Sequence, residues 1–116
     1  MNRYCLALDL KDDPDLIAEY RRYHEAVWPE IHRSILASGI HSMEIYLTGN
    51  RLFMIMEADQ TFSFERKAAM DAANPDVQRW EDLMWRFQQA LPGSLPGVKW
   101  RPMELVFQLE QQPALR

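Results

Sequence analysis

Three ring-bearing side chains at helical spacing are the residues of this sequence best suited to chemistry. Tyr20, His24 and Trp28 follow one another at i, i+4 and i+8, so on a helix their tips converge on one side. The same stripe holds the apolar residues Ile17 and Val27. An imidazole in such surroundings, one turn from a phenol, can take up and release a proton near neutral pH. The pattern predicts a proton-transfer site centred on His24, with Tyr20 as its partner.

Trp80 and Glu81 lie in a later helical stretch and can extend this site. Trp80, like Trp28, offers a flat apolar ring suited to the C–H face of a sugar. Glu81 faces either the pocket or solvent, because adjacent helical residues diverge by about 100 degrees. Each residue also has a structural interpretation: a histidine bonded to a carbonyl, aromatic rings packed in the core, and a solvated carboxylate. The residues alone leave both interpretations open.

Length and charge indicate one domain, assigned to residues 1–110, followed by a flexible tail over 111–116. The chain has 116 residues, 47% of them hydrophobic, and a formal net charge of -4. No dense cluster of Lys and Arg occurs, so we expect no nucleic-acid partner. No apolar run approaches the ~18 residues of a membrane span, and no leader precedes the first strand. We therefore expect no membrane partner and a cytoplasmic location, which the single cysteine, Cys5, also favours.

We expect neither a metal nor a cofactor. His24, His32 and His41 lack the spacing of metal ligands. Cys5 alone cannot form a metal cluster, and it has no evident base beside it for covalent catalysis. No glycine-rich motif that binds phosphate groups occurs. The remaining possibility for chemistry is acid–base catalysis.

Alternation and turn residues predict four strands with helices between them. The predicted strands cover 3–10, 43–47, 51–56 and 103–109, and the Thr48-Gly49-Asn50 turn joins the middle two. Asp13 and Pro14 predict the start of a first helix that runs to about Val27. A short helix is expected from Pro29 to Ser38-Gly39. A later helical region is interrupted at Asn74-Pro75, and a loop follows over 91–97.

The order strand, helix, strand, strand, helix, strand is typical of the ferredoxin-like (split βαβ) fold. In this α+β class, helices cover one face of an antiparallel sheet. The third strand is apolar on both faces, since Phe53 and Ile55 alternate with Leu52, Met54 and Met56. The second face of the sheet therefore needs to pack against another surface, unless small residues and trapped water leave it open. We therefore predict a homodimer in which two sheets pack face to face as a dimeric α+β barrel.

Five segments of the chain carry a family resemblance. They are Tyr20-Arg21-Arg22-Tyr23-His24, Val27-Trp28-Pro29-Glu30, Glu44-Ile45-Tyr46-Leu47, Leu52-Phe53 and Gln78-Arg79-Trp80. Through them the chain resembles the L-rhamnose mutarotase family over nearly its whole length. The resemblance implies a dimeric ferredoxin-like protein that interconverts the α and β anomers of a free 6-deoxy-L-hexose without a cofactor. It also implies that His24 is the acid/base histidine and that Tyr20 and Trp80 contact the sugar.

Two positions depart from the pattern of that family. By the resemblance, L-rhamnose-specific members carry a sugar-contacting tyrosine where this chain has Met43, and a second tryptophan where it has Glu81. L-Rhamnose and L-fucose differ in configuration at C2 and C4, so a change of preference should alter groups that contact ring hydroxyls. A carboxylate adds two strong hydrogen-bond acceptors. We therefore expect Met43 and Glu81 to line the sugar pocket and L-fucose to be the substrate, with L-rhamnose as the alternative.

Mutarotation requires one proton to reach the ring oxygen while another leaves the anomeric hydroxyl. On the sequence, we expect His24 to protonate the ring oxygen, with Tyr20 or an ordered water at the anomeric hydroxyl. Two other functions fit the same fold. They are a cofactor-independent monooxygenase acting on aromatic polyketides and a non-catalytic ligand-binding dimer.

Overall fold

An antiparallel sheet covered on one face by helices is present in the computed structural model, which describes residues 1–111 and residue 113. The strands are β1 (Asn2–Leu10), β2 (Ile40–Thr48), β3 (Arg51–Ala58), β4 (Gln88–Gln89) and β5 (Arg101–Pro102), and the helices are α1 (Pro14–Tyr23), α2 (Pro29–Ala37), α3 (Phe64–Ala72) and α4 (Pro75–Trp85). The predicted α+β, ferredoxin-like class is confirmed. The predicted tail over 111–116 lies mostly outside the described residues.

The strands follow the order β2-β3-β1-β4, and β5 also pairs with β1. Leu52 of β3 lies opposite Leu8 of β1 on one side and Leu47 of β2 on the other. Because residues opposite one another in register point to the same face, these leucines share the side that the helices cover. The hairpin between β2 and β3 turns at Gly49, whose φ of 58° fits the predicted tight turn.

The core lies between the helices and that face of the sheet. Its buried residues include Leu10, Tyr20, Ile31, Leu52, Val77, Trp80, Met84 and Phe87. Fully burying an apolar side chain of this size contributes about 1.5–3 kcal/mol. The helices α1, α2 and α4 are thus held on the sheet mainly by their apolar stripes.

The start of α1 follows the predicted capping signal, and α4 opens at the predicted Pro75. Asp13 accepts hydrogen bonds from the backbone N–H groups of Asp15 and Leu16, at 2.9 and 3.2 Å, directly before Pro14 opens α1. Asn74 caps α4 in the same way before Pro75. Within the described residues, no helix combines the length and the apolar character that crossing a bilayer demands.

The predicted end of the first helix near Val27 is wrong, because α1 ends at Tyr23 with His24 as its C-cap. The reason lies at Trp28, which precedes Pro29 and has an extended conformation, with φ -56° and ψ 137°. The chain leaves the helix early and reaches that conformation through a short link. Trp28 is therefore not on the helical stripe that carries Tyr20 and His24.

The predicted strand over 103–109 is also wrong. The last strand is split into β4 and β5, which share one edge of β1, with Gln88 opposite Leu10 and Arg101 opposite Ala7. Residues 103–108, the greater part of a C-terminal arm (residues 103–109), form no regular structure. The arm is mostly apolar, and beyond the bond from its first N–H, at Met103, to the carbonyl oxygen of Cys5, its large side chains stay open among the described residues: Val106 is 91% exposed and Phe107 is 62% exposed.

Gly39 follows the C-cap of α2 in a backbone conformation that any residue with a side chain would adopt only with strain. Its φ is +101°, and an added Cβ would lie 2.7 Å from Oγ1 of Thr61 and 2.8 Å from Oδ1 of Asp59. We expect Gly39→Ala to lower the free energy of unfolding by about 2–4 kcal/mol in a urea titration, because a clash adds to left-handed strain. The control is Gly97→Ala, at φ +82° in open surroundings, which should cost about 1 kcal/mol from strain alone. Equal losses in the two variants would contradict this account.

Candidate functional site

A cavity of about 330 Å³ lies between the helices and the helix-covered face of the sheet. The sheet wall is apolar and consists of Leu6, Met43, Ile45, Met54 and Met56. The polar lining residues are Tyr20, His24, Ser34, Lys67, Asp71, Glu81, Gln88 and Lys99. This volume is at the lower end of the ~300–1,000 Å³ found for small-molecule sites. The mixed lining suits a small molecule with an apolar side and several hydrogen-bonding groups.

His24 lines this cavity from the end of α1. Its Nδ1 lies 2.8 Å from the carbonyl oxygen of Tyr20. A carbonyl oxygen only accepts hydrogen bonds, so Nδ1 carries the proton of the neutral ring and Nε2 keeps the lone pair. Burial lowers the pKa of the imidazole, and the hydrogen bond to the Tyr20 carbonyl offsets only part of this effect. His24 is therefore a neutral proton acceptor near neutral pH.

The structural and the functional interpretations of His24 are thus compatible. The ring is bonded to a main-chain carbonyl, as a core histidine would be, yet it also borders a cavity. The carbonyl orients the ring through Nδ1. Nε2 has no hydrogen-bond partner among the described residues. The anchoring contact therefore leaves the reactive nitrogen free.

Tyr20 stacks against His24 one helical turn earlier, with ring centroids 4.2 Å apart and planes 33° from parallel. Burial raises the pKa of its phenol to about 12, although the side chain of Gln88 lowers it in part. The phenol is therefore protonated and can donate to a ligand.

Trp80 forms the next part of the wall, and its ring lies 5.7 Å from that of His24 at an angle of 65°. Trp28 packs edge-to-face behind Trp80, with ring centroids 5.0 Å apart. Among the described residues that line the cavity, Trp28 is absent. Direct contact between Trp28 and a ligand stays a prediction. In the structure, Trp28 packs against Trp80 and helps to hold that ring in place.

Met43 and Glu81, the two positions singled out in the sequence, both border the cavity. Met43 lies opposite Met56 in the register of β2 and β3, which turns it to the helix-covered face. Glu81 follows Trp80 on α4, and its carboxylate lies 3.9 Å from Nζ of Lys99. The side chain of Glu81 is 39% exposed. It therefore lies where the cavity meets solvent.

Sequence reasoning missed Lys67, Asp71, Gln88 and Lys99, which also line the cavity. The register of β4 carries a signal for Gln88, because this residue pairs with Leu10 on the helix-covered face. Lys67 and Asp71 share a helical stripe with Phe64, at i+3 and i+7. Nothing in the local pattern distinguishes Lys99. Within the described part of the chain, no group of three His, Cys, Asp or Glu side chains is placed to hold a metal ion.

Comparison with known proteins identifies the family of this chain. The sequence matches the family described as L-rhamnose mutarotase over residues 3–109. This chain belongs to that family. A family member from Xanthomonas campestris pv. campestris, named L-fucose mutarotase, is 49% identical over 113 residues, which cover 96% of this chain and 90% of that protein.

Solved structures share the fold of this family member. The L-rhamnose mutarotase of Formosa agariphila superposes with a TM-score of 0.69 at 23% identity, covering 95% of this chain and all of the other. The tetracenomycin F2 cyclase of Streptomyces glaucescens, a polyketide cyclase, reaches a TM-score of 0.63 at 14% identity over 93% and 96% of the two chains. Proteins with different chemistry thus use this fold, so the reaction must be argued from the site.

The lowered pKa of His24 has a consequence for stability. The folded protein binds this proton less readily than the unfolded chain, so the contribution of neutral His24 is complete above the ordinary imidazole pKa of about 6.5. That contribution is lost as the pH falls from there through the lower pKa of the folded state. NMR titration of the His24 C2 proton should give a midpoint below about 6.5. A midpoint above that value would contradict the burial argument.

A matched pair of variants isolates this effect. His24→Gln should flatten the dependence of the unfolding free energy on pH below the ordinary imidazole pKa of about 6.5, since the buried titrating group is gone. His32→Gln should keep the slope, because His32 is exposed on α2.

Proposed function

We propose that this protein is a mutarotase that interconverts the α and β anomers of L-fucose by acid–base catalysis. The observation that supports this most directly is the meeting of a neutral imidazole, free at Nε2, and a protonated phenol at one cavity. Ring opening and closure need only proton transfers, so the scheme requires no cofactor. We assign the activity to one domain over residues 1–110. The single cysteine, half-buried Cys5, suits a reducing cytoplasm.

The protonation states favour His24 as the base and Tyr20 as the acid, which reverses the sequence-based expectation for His24. Nε2 of His24 takes the proton of the anomeric hydroxyl while the phenol of Tyr20 gives its proton to the ring oxygen. The bond between C1 and the ring oxygen breaks, leaving an aldehyde, an imidazolium and a phenolate. After rotation about the C1–C2 bond, the two protons return and the ring closes on the other face of the aldehyde.

The surroundings of the two residues set the resting protonation states that these roles need. Burial lowers the pKa of His24, which keeps its lone pair available. The side chain of Gln88 lowers the pKa of the Tyr20 phenol in part, and an N–H donated by its amide would stabilise the transient phenolate. The apolar sheet wall of Met43, Met54 and Met56 suits the 6-methyl group and the C–H face of a deoxy sugar.

L-Fucose is favoured over L-rhamnose by the identity of the cavity wall. Glu81 brings a carboxylate to the cavity, where the family resemblance implies an indole in L-rhamnose-specific members. Met43 likewise brings no hydroxyl to a position where those members carry a tyrosine. The relative at 49% identity is named L-fucose mutarotase, whereas relatives named L-rhamnose mutarotase from Shigella flexneri and Yersinia pestis are 30% and 36% identical.

Substitution of His24 tests the mechanism. We expect His24→Ala to slow anomer exchange of L-fucose by about 100- to 10,000-fold, because it removes the base. Saturation-transfer NMR with L-fucose, L-rhamnose and D-ribose measures the rate and the substrate order together. The matched control is His32→Ala, an exposed histidine on α2, which should exchange at the native rate.

Other outcomes of the same session would support the rival functions. Clear sugar binding with no exchange by the unmodified protein would favour a binding module. Oxygen uptake with a quinol substrate would favour the monooxygenase. Native exchange by His24→Ala would show that the base is misassigned.

We further propose that the protein acts as a homodimer. Two apolar surfaces lack cover in the described chain: the sheet face opposite the helices, with half-buried Phe53 and Ile55 beside exposed Tyr46, and the C-terminal arm. Monomeric proteins rarely expose apolar patches of this kind. A second copy related by two-fold symmetry would cover both surfaces at once, because each protomer offers the same pair.

Charges placed in the arm test this assembly. The double variant Val106→Glu, Phe107→Glu should convert a dimer to a monomer, because two carboxylates would be buried without partners. Light scattering after size exclusion reports the mass directly. Leu95→Glu is the control, since Leu95 is 75% exposed but lies in the segment between β4 and β5. A single-chain mass for the unmodified protein would overturn the proposal.

A further inference from the structure

Lys67 and Asp71 form an ion pair that the mechanism above does not use. They lie one turn apart on α3, with Nζ of Lys67 2.7 Å from Oδ2 of Asp71. Their side chains are only 23% and 15% exposed. Both border the cavity that contains Tyr20 and His24. The pair is therefore partly withdrawn from water at the site of the proposed reaction.

The pair is poorly placed to stabilise its own helix. Asp71 lies in the last turn of α3, where a negative charge opposes the helix dipole. A lysine that precedes its acidic partner at i, i+4 is also the weaker orientation for such pairs. Partial burial adds a desolvation cost for both charges. Helix stability is thus a weak reason for this arrangement.

Both members of the pair have hydrogen-bonding capacity to spare. The contact to Lys67 uses Oδ2 of Asp71, and within the described residues no donor reaches Oδ1. The ammonium group has N–H donors beyond the one directed at Asp71. A pyranose presents neighbouring hydroxyls that each donate and accept. A carboxylate next to an ammonium complements two such hydroxyls.

Ser34 and Gln88 have other roles in the cavity wall. Oγ of Ser34 donates to the carbonyl oxygen of Ile31 at 2.9 Å, and the side chain of Gln88 acts on the phenol of Tyr20, whose pKa it lowers in part. His24 and Tyr20 are required at the anomeric hydroxyl and the ring oxygen. The charged lining groups that remain for the hydroxyls that do not react are the Lys67–Asp71 pair and Glu81 with Lys99.

We propose that Lys67 and Asp71 bind two adjacent ring hydroxyls of the sugar, away from the anomeric carbon, and thereby determine which hexose is accepted. The inference rests on the proposed mutarotase function and adds a specificity-determining pair to it. Neither residue transfers a proton. The pair holds the ring so that the anomeric centre faces His24.

Kinetics of anomer exchange separate binding from chemistry. Asp71→Asn and Lys67→Met should each raise KM for L-fucose by about 10- to 100-fold, because one charged hydrogen bond to the sugar is lost. The value of kcat should stay within about threefold, and its pH dependence should not move. The control is Glu30→Gln, which removes the carboxylate of an exposed ion pair with Arg33 on α2. An unchanged KM in both variants, or a loss confined to kcat, would overturn the proposal.

A sugar that cannot react gives an independent readout. Methyl α-L-fucopyranoside cannot open its ring, so calorimetry measures its binding without turnover. Among its 2-, 3- and 4-deoxy analogues, those lacking a hydroxyl bound by the pair should lose affinity for the unmodified protein. The same analogues should lose little further affinity for Asp71→Asn. Additive losses for all three would overturn the assignment of the pair.

The two proposals fail in distinguishable ways. If the unmodified protein binds the methyl glycoside but does not exchange L-fucose anomers, the mutarotase function is wrong and the binding data still test the pair. If exchange is present and the variants behave like Glu30→Gln, only the pair is wrong.

Discussion

His24 ends α1, and its imidazole donates from Nδ1 to the carbonyl oxygen of Tyr20 in the turn before it. The last carbonyls of a helix lack partners within the helix, so the ring satisfies one of them. The same contact selects the tautomer, because it leaves the lone pair on Nε2. Two effects on the pKa of this ring oppose each other. The partial negative charge at the helix end favours the imidazolium, whereas burial disfavours it. Because burial has the larger effect, the pKa is lowered.

The aromatic residues around this ring combine packing with function. Tyr20 and Trp80 are both buried in the core, yet each also forms part of the cavity wall. Tyr23 and Trp28 pack edge-to-face against Trp80 at 6.4 and 5.0 Å. Side chains packed in this way have few accessible rotamers, so the indole of Trp80 keeps its position when the cavity is empty. Rigidity at the site is thus supplied by core packing.

Local signals predicted much of the fold. Asp13 with Pro14, and Asn74 with Pro75, each combine a side-chain cap with a fixed φ, so both helix starts could be read from adjacent residues. The end of α1 could not be predicted from adjacent residues. Between His24 and Val27 there is no glycine or proline, and the break is imposed by the conformation that Pro29 requires of Trp28.

In the candidate site too, some residues could be predicted from local sequence and others could not. His24 and Tyr20 share one helix, so their meeting is a matter of helical period. Asp71 and Gln88 reach the cavity from different elements, and only the tertiary arrangement brings them to it. The fourth strand also failed as a prediction for this reason. Apolar alternation in residues 103–109 indicates a surface suited to contact but does not say what it contacts.

The division of the last strand into β4 and β5 has an evolutionary consequence. Both pieces keep antiparallel register with β1, and the excursion between them, residues 90–100, carries Lys99 and Trp100 to the cavity. This excursion can change in length and composition while the sheet on either side stays intact. Substitutions confined to this surface insertion can therefore change which hexose the cavity accepts, while the sheet and helices fold as before.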